Sequence, residues 1–333
     1  MKPSIVLLLA VITACEVGIT HDSEKVQGDI FSDTTEENEE TSIPEEEETV
    51  VESEDSASPE STEDTDQPVT DFSQSGGYYS TKEIRTATVT NCSSMEYEIH
   101  TPDVDDPPVV VLGHGFARGS GVMTGWAEHL ASWGVEVLLP TLCHYNVFFG
   151  VDHEMNGQNM IELAMIHGSE NVVYAGHSAG GLAAIIAAAE DSNAIGVLGL
   201  DTTDTEDVPG VDDFIGRAYA DHVSSPAFFI MGEPSTCNGE NNGLDLFRMM
   251  TDYQIVKIVD SDHCDFENPT NSICEMSCEN PTQTFSDSEL RPVIVTLGTA
   301  AIMSLTGLSS DGSLVWQDGL EDWISAGLIQ SIE

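Results

Sequence analysis

Ser178 lies among small neighbours, in a segment where residues 171–181 read NVVYAGHSAGG. A β-branched run precedes the Gly-x-Ser-x-Gly pattern and an alanine-rich run follows it, which predicts a strand, a tight turn and a helix. Such a turn leaves room only for small residues at Gly176 and Gly180, and it strains the serine backbone so that the hydroxyl is exposed. The segment therefore predicts a nucleophilic serine.

A serine hydroxyl is a weak nucleophile until a base accepts its proton. Ten histidines are available, and His263 is the only one beyond Ser178 that directly follows a predicted late strand. His222 falls in a charged segment with a helical pattern. Because the order serine, acid, histidine is typical of this strand–turn–helix arrangement, we predict that His263 is the general base.

The acid that orients the histidine is harder to choose, because carboxylates are frequent in this chain. Asp201 ends the predicted strand 194–200, and Glu233 follows the next strand. Either position suits the acid; Asp204 and Asp262 are weaker candidates. We favour Asp201 and keep Glu233 as the alternative.

Attack by the serine on a carbonyl group would create a negative oxygen that needs two hydrogen-bond donors. The backbone N–H of Ala179 is one candidate, because it lies at the start of the predicted helix, where the helix dipole favours negative charge. The N–H of Phe116 is the other, since it follows Gly113, His114 and Gly115 at the end of an earlier buried strand. These two amides form the predicted oxyanion hole.

Short β-branched runs alternate with helical stretches from residue 86 onward, which predicts an α/β fold with a mainly parallel sheet and helices on both faces. We expect the tail from residue 309 to dock on the surface as a short addition. The predicted strands are 86–90, 95–101, 108–112, 135–140, 171–176, 194–200, 226–231 and 253–259. The predicted helices are 122–133, 160–167, 179–190, 244–250 and 290–305.

The first fifteen residues have the layout of an export signal, with Lys2, an apolar run over residues 5–12, and then Cys15. The ending Ile-Thr-Ala-Cys resembles the bacterial lipobox, which implies a lipid-modified Cys15 and a membrane anchor in the cell envelope, at the outer membrane or cell surface. The alternative is an ordinary signal peptide.

Residues 16–75 contain 21 acidic residues and one base, Lys25. Such a segment cannot bury enough apolar surface to fold, so it predicts a disordered acidic linker, and a cation- or surface-binding arm is the alternative. The remainder, residues 76–333, is the predicted catalytic domain and still carries a net charge near −31. This charge argues against nucleic acid as a partner, because phosphate binding needs a basic face.

Six cysteines remain once Cys15 is assigned to lipid, and an even number in an exported chain predicts up to three disulfides. The sequence does not choose among the possible pairings, and the alternative for Cys92 and Cys143 is that they are free buried thiols. The six are Cys92, Cys143, Cys237, Cys264, Cys274 and Cys278.

Together these motifs resemble the α/β-hydrolase family over about residues 85–305. The stretches GHGF at 113–116, GHSAGG at 176–181 and GLDTTD at 199–204 are similar to the chlorophyllase and platelet-activating-factor acetylhydrolase branch, and to polyester hydrolases and cutinases. The resemblance implies a Ser-His-Asp triad with Asp201 as its acid, and a cysteine after the histidine, here Cys264, that braces the catalytic loop. Chlorophyllases carry a larger residue where Ala179 stands, which argues against chlorophyll as substrate.

The predicted function is hydrolysis of a small or lipid-like carboxylic ester through an acyl-enzyme, by a monomer without cofactor or metal. Asp152 and His153 have no second cluster of ligands at metal-binding spacing. The alternatives are an amidase or peptidase of the same fold, and a surface lipoprotein that binds without catalysis. Four side chains are candidates for a substrate pocket or for the core: Trp126, His144, Phe148 and Phe149.

Overall fold

The computed structural model describes residues 70–146, 150–205, 214–278 and 284–332. The predicted signal peptide with Cys15, residues 16–69 of the predicted linker, and the pair Phe148 and Phe149 lie outside the described residues.

Nine strands of the described chain form one mixed sheet in the order β1-β2-β4-β3-β7-β8-β9-β10-β11, and β5 pairs only with β6. The neighbours from β4 to β10 run parallel, whereas β1, β2 and β11 pair in antiparallel fashion. The mainly parallel α/β architecture is therefore confirmed. The strands are β1 (Ser80–Val89), β2 (Cys92–Pro102), β3 (Val109–Gly113), β4 (Glu136–Pro140), β5 (Tyr145–Asn146), β6 (Gly150–Val151), β7 (Val172–His177), β8 (Ala194–Leu200), β9 (Ala227–Met231), β10 (Tyr253–Ile258) and β11 (Ile329–Ser331).

Helices cover both faces of this sheet. On one face α1, α6 and α7 pack through residues such as Trp126, Leu297 and Trp316, and on the other α2 and α3 pack through Leu163 and Ile185. The helices are α1 (Thr124–Ser132), α2 (His153–His167), α3 (Ala179–Glu190), α4 (Leu244–Phe247), α5 (Ser272–Cys278), α6 (Asp287–Thr306), α7 (Ser310–Gln317) and α8 (Glu321–Ala326).

The central strands are buried on both faces, which explains their continuous apolar sequences. All five residues of β3 are buried, as are all six of β7. A parallel strand between two helical layers has no solvent-facing side, so the alternation of polar and apolar residues disappears. The edge strand β1 is instead mostly exposed and carries Lys82, Glu83 and Arg85, charges that discourage pairing with another chain.

Packed structure begins before the predicted start of the domain at residue 76. Phe72 is fully buried, and its ring centroid lies 4.9 Å from that of Trp133. The indole N–H of Trp133 donates to the carbonyl oxygen of Gln74 at 3.0 Å. Residues 70–75, which the acidic composition assigned to the linker, thus pack against α1.

The C-terminal tail is part of the core, so its expected surface docking is wrong. Trp316 of α7 is only 3% exposed, and its indole N–H donates to the carbonyl oxygen of Leu297 at 3.0 Å. Farther on, β11 pairs with β10 at the edge of the sheet. The tail therefore extends the sheet and closes one of its faces.

Three disulfides are present, as predicted: Cys92–Cys143, Cys237–Cys278 and Cys264–Cys274. None of the helices within the described residues combines the length and apolar character needed to cross a bilayer.

Candidate active site

Ser178 forms the turn between β7 and α3. β7 ends at His177 and α3 begins at Ala179, so one residue reverses the chain direction. Its φ of 56° and ψ of −123° fall where non-glycine residues are rare. The Ser178 N–H donates to the carbonyl oxygen of Leu200 at 2.9 Å, which ties the turn to β8. The serine thus has the strained backbone that the Gly-x-Ser-x-Gly pattern predicts.

Three glycines let the turn approach the neighbouring strand. A Cβ atom on Gly176 would lie 2.3 Å from the carbonyl carbon of Gly180, and one on Gly180 would lie 2.5 Å from the carbonyl carbon of Gly113. These contacts are between backbones, which cannot move aside as a flexible side chain can. Any side chain at Gly176 or Gly180 would therefore displace α3 from the sheet.

We expect Gly176→Ala to lower the free energy of unfolding by at least about 2 kcal/mol, because overpacking against backbone costs on this order. Gly121→Ala is the matched control, since a Cβ at Gly121 meets nothing within 4 Å. That control should stay within about 0.5 kcal/mol of the wild type. Urea unfolding checks both variants, and equal stabilities would show that the glycine contacts are not needed.

His263 and Asp201 meet through a short hydrogen bond. The Nδ1 atom of His263 lies 2.6 Å from Oδ2 of Asp201, whose side chain is fully buried. The carboxylate also accepts from the Gly232 N–H at 2.8 Å and from the Asn238 side-chain amide at 3.2 Å. With the proton held on Nδ1, the other ring nitrogen, Nε2, carries the lone pair that can accept a proton.

Glu233, the alternative acid, contacts a different partner. Its Oε2 lies 2.9 Å from Nζ of Lys257, and its Oε1 accepts from the Asp260 N–H at 3.3 Å. Asp201 therefore contacts His263, whereas Glu233 forms an ion pair with Lys257.

The two weaker acid candidates bind backbone amides of their own loops. Oδ1 of Asp204 accepts from the N–H groups of Thr205 and Gly216 at 2.8 and 2.9 Å. Oδ1 of Asp262 accepts from the Cys264 N–H at 2.8 Å. Both carboxylates brace loops beside the site.

Phe116 and Ala179 both lie beside Ser178. They share with it the wall of a cavity of about 290 Å³, which we call the small cavity. Ala179 is the first residue of α3, and the first N–H groups of a helix have no acceptor within the helix. Ala117, next to Phe116, has a φ of 55° and donates its N–H to Tyr145 at 2.9 Å, which fixes the loop after β3.

A second cavity of about 420 Å³, the large cavity, also opens onto Ser178. His263 lines this cavity together with Arg118, Glu267, Ile273 and cysteines of two disulfides. Ser178 and Phe116 belong to both walls, so the serine stands at the junction of the two cavities. Of the candidate pocket residues, Trp126 is buried in the core and donates its indole N–H to Phe266 at 2.9 Å.

His177 lies inside the Gly-x-Ser-x-Gly motif, but its contact with His263 was not predicted from the sequence. Its Nε2 is 3.0 Å from the carbonyl oxygen of His263, and the two ring centroids are 4.4 Å apart. Burial, together with the nearby His263, lowers the pKa of His177 well below the ordinary histidine value, so the ring is neutral and Nε2 can donate. This hydrogen bond holds the backbone of His263, the predicted base, against the end of β7 next to the Ser178 turn.

The ion pair between Arg118 and Glu267 was also not predicted from the sequence. The guanidinium Nε and Nη2 each donate to one oxygen of Glu267 at 2.6 Å, and Nη2 donates to Asn271 at 3.0 Å. The Glu267 side chain is fully buried and that of Arg118 is 11% exposed. The ion pair joins the loop of Phe116 to the loop of His263.

Asp265, two residues after His263, is a buried carboxyl group. Burial raises the pKa of Asp265 to about 7 against the opposing hydrogen bond from the Asp262 N–H, and the charges of Asp262 and Asp287 add to the rise, whereas that of Arg291 opposes it. An unfolded aspartate releases its proton near pH 3.9. Between about pH 4 and pH 7 the folded state therefore binds more protons at this group, and its contribution to stability falls as the pH rises.

We expect Asp265→Asn to gain stability relative to the wild type as the pH rises from 4.5 to 8, by up to a few kcal/mol. The asparagine does not ionise, so it avoids the cost of burying a charge. Urea unfolding at both pH values measures the change, with the exposed Asp103→Asn as control. Parallel pH profiles for Asp265→Asn and the wild type would contradict this expectation.

The sulfurs beside the large cavity form a tight group. One sulfur each of Cys264, Cys274 and Cys278 lies within 4.8 Å of the others. All three are in disulfides, two with each other and Cys278 with Cys237, whereas a metal ligand would have to be a thiolate. In this state the group cross-links α5 to the loop of His263 and to the segment after β9.

Comparison with known proteins adds no family to this geometry: no protein-family model matches the chain, and no curated protein matches it significantly.

Proposed function

We propose that this chain is an exported serine esterase with the α/β-hydrolase fold. The observation that carries the proposal is the 2.6 Å contact between His263 and Asp201, in a chain whose strained Ser178 lines the same cavity as His263. A buried carboxylate on Nδ1 leaves Nε2 as a base, and a serine in a strained turn presents its hydroxyl. These are the two requirements of nucleophilic acyl transfer.

In the proposed mechanism, Nε2 of His263 takes the Ser178 proton while the serine oxygen attacks the ester carbonyl carbon. The N–H groups of Phe116 and Ala179 stabilise the resulting oxyanion. The imidazolium, stabilised by Asp201, then gives its proton to the departing alcohol. Water, activated by the same histidine, hydrolyses the acyl-enzyme and regenerates the serine.

The proposal includes an envelope location. The lipobox-like residues before Cys15 support a lipid anchor, and the acidic segment that follows supports a spacer between the anchor and the catalytic domain. Three disulfides are consistent with an oxidising compartment.

Hydrolysis of p-nitrophenyl esters from acetate to dodecanoate by the full chain tests the proposal, with Ser178→Ala as its partner variant, in low and high salt. We expect turnover that is lost in Ser178→Ala, together with stoichiometric labelling of Ser178 by a fluorophosphonate. Labelling without ester turnover would favour an amidase, and p-nitroanilides would then be assayed. A chain that shows neither labelling nor turnover in either salt would be a binding protein instead.

A further inference from the structure

The two cavities at Ser178 have different chemical neighbours. The small cavity is bordered by Ala179, one of the two proposed oxyanion donors, and the large cavity by His263. Phe116, the other donor, borders both. The cavities therefore differ in which part of the catalytic apparatus they adjoin.

In acyl transfer from an ester, the histidine must reach the oxygen of the departing alcohol to return the proton. The alcohol part of the substrate therefore lies on the side of His263, in the large cavity. The carbonyl oxygen points to the amides of Phe116 and Ala179, and the acyl chain takes the space at Ser178 that the alcohol leaves, which is the small cavity. This assignment rests on the proposed function.

The small cavity has a mixed wall, with polar side chains among apolar ones. His153 is 8% exposed and Asp204 is 4% exposed, and Thr203 and Thr205 line the cavity beside them. The apolar part of the wall comes from Phe116, Val151, Ala179 and Cys237. Its volume of about 290 Å³ is roughly that of ten water molecules, so a short acyl group that carries a hydroxyl fits within it.

Two polar atoms directly behind this wall have no hydrogen-bond partner among the described residues. Nδ1 of His153 and Oγ1 of Thr203 are enclosed and make no hydrogen bond with any residue of the described ranges. An enclosed polar atom without a partner costs on the order of 1–3 kcal/mol, which a ligand that supplies the missing hydrogen bond would recover. A hydroxyl group can donate to the imidazole nitrogen and can donate to or accept from the threonine.

We propose that the small cavity is an acyl subsite for short hydroxylated acids, so that the substrates are esters of short hydroxy acids with a larger alcohol. The acyl hydroxyl pairs with His153 or Thr203 after a small rotation of the side chain. The large cavity offers Ile273, disulfide-bonded cysteines and an ion pair whose charges neutralise each other, which suits a bulkier and less polar alcohol.

The test compares p-nitrophenyl butyrate with p-nitrophenyl 3-hydroxybutyrate, because the two esters share a leaving group and differ by one hydroxyl. Rates with the full chain are corrected by the Ser178→Ala blank. We expect kcat/KM to be at least about tenfold higher for the hydroxy ester, since a site built to bond a hydroxyl discriminates against the analogue that lacks it. The readout is this ratio.

Thr203→Val or His153→Phe should bring the ratio close to one, according to which of the two side chains bonds the hydroxyl, because each variant removes a hydrogen-bonding atom and keeps similar bulk. His222→Phe is the control, since this histidine is exposed and belongs to neither cavity, and its ratio should equal that of the wild type. A wild-type ratio below about two, or one unchanged in Thr203→Val and His153→Phe, would overturn the acyl-subsite assignment and leave the esterase intact. Absence of Ser178-dependent hydrolysis of both esters would instead remove the proposed function.

Discussion

Asp201→Asn will lower kcat for ester hydrolysis by about four orders of magnitude while the fold is retained. The Asp201 carboxylate accepts the proton on Nδ1 of His263 at 2.6 Å and so fixes the tautomer that leaves Nε2 free as the base. An asparagine turned to keep its amide nitrogen near Nδ1 would donate to that atom and favour the tautomer with its proton on Nε2. The nucleophile would then have no acceptor for its proton.

Glu233→Gln is the matched control, because it makes the same chemical change at the other candidate acid. Its carboxylate pairs with the partly exposed Lys257, so the substitution should cost at most about 1 kcal/mol of stability and leave kcat within about a factor of two. Steady-state kinetics and circular dichroism of both variants check the pair. A large loss in Glu233→Gln with little change in Asp201→Asn would reverse the assignment of the acid.

Arg118→Met will lower the free energy of unfolding by about 3–5 kcal/mol, the cost of leaving one charge of a buried ion pair without its partner. The partner is Glu267, whose side chain is fully buried and held by two hydrogen bonds of 2.6 Å. We also expect a lower kcat, because the pair joins the loop of Phe116 to the loop of His263. Urea unfolding and ester kinetics measure the two effects.

A double-mutant cycle measures the interaction energy between Arg118 and Glu267 apart from their contacts with other residues. Arg118→Met/Glu267→Met should recover much of the stability lost in Arg118→Met, because apolar side chains of similar volume avoid an unpaired buried charge. Arg85→Met is the control, since Arg85 and Glu83 form an exposed pair whose loss should cost at most about 1 kcal/mol. If Arg118→Met and Arg85→Met lower the free energy of unfolding by the same amount, the buried ion pair does not stabilise the contact between the two loops.

Local sequence carries the parts of the site that depend on one short segment. The turn at Ser178 can be predicted because its small residues and its strand and helix patterns are adjacent in the chain. The mainly parallel sheet can be predicted because its central strands are buried on both faces, so their sequences are continuously apolar. The pocket chemistry, the ester specificity and the roles of Ser178 and His263 in catalysis stay predictions.

Parts of the site that depend on contacts between distant segments could not be predicted in this way. Asp201 follows β8 and Glu233 follows β9 in the same manner. Only the position of the side chains in the folded chain shows which carboxylate contacts His263. The contacts of His177 and Arg118 require that the loops after β3, β7 and β10 meet, which follows from the strand order. The packing of Phe72 was hidden by the acidic composition around it.

The order of strands also governs when the site can first exist during folding. Ser178, Asp201 and His263 follow β7, β8 and β10, and β9 must pair between β8 and β10 before the histidine loop has a place. Parallel pairing of strands joined by long crossovers is slow to form because the chain closes large loops first. Recovery of the proposed esterase activity on refolding will therefore report the pairing of β7 through β10, since these four strands must be in place before the three residues meet.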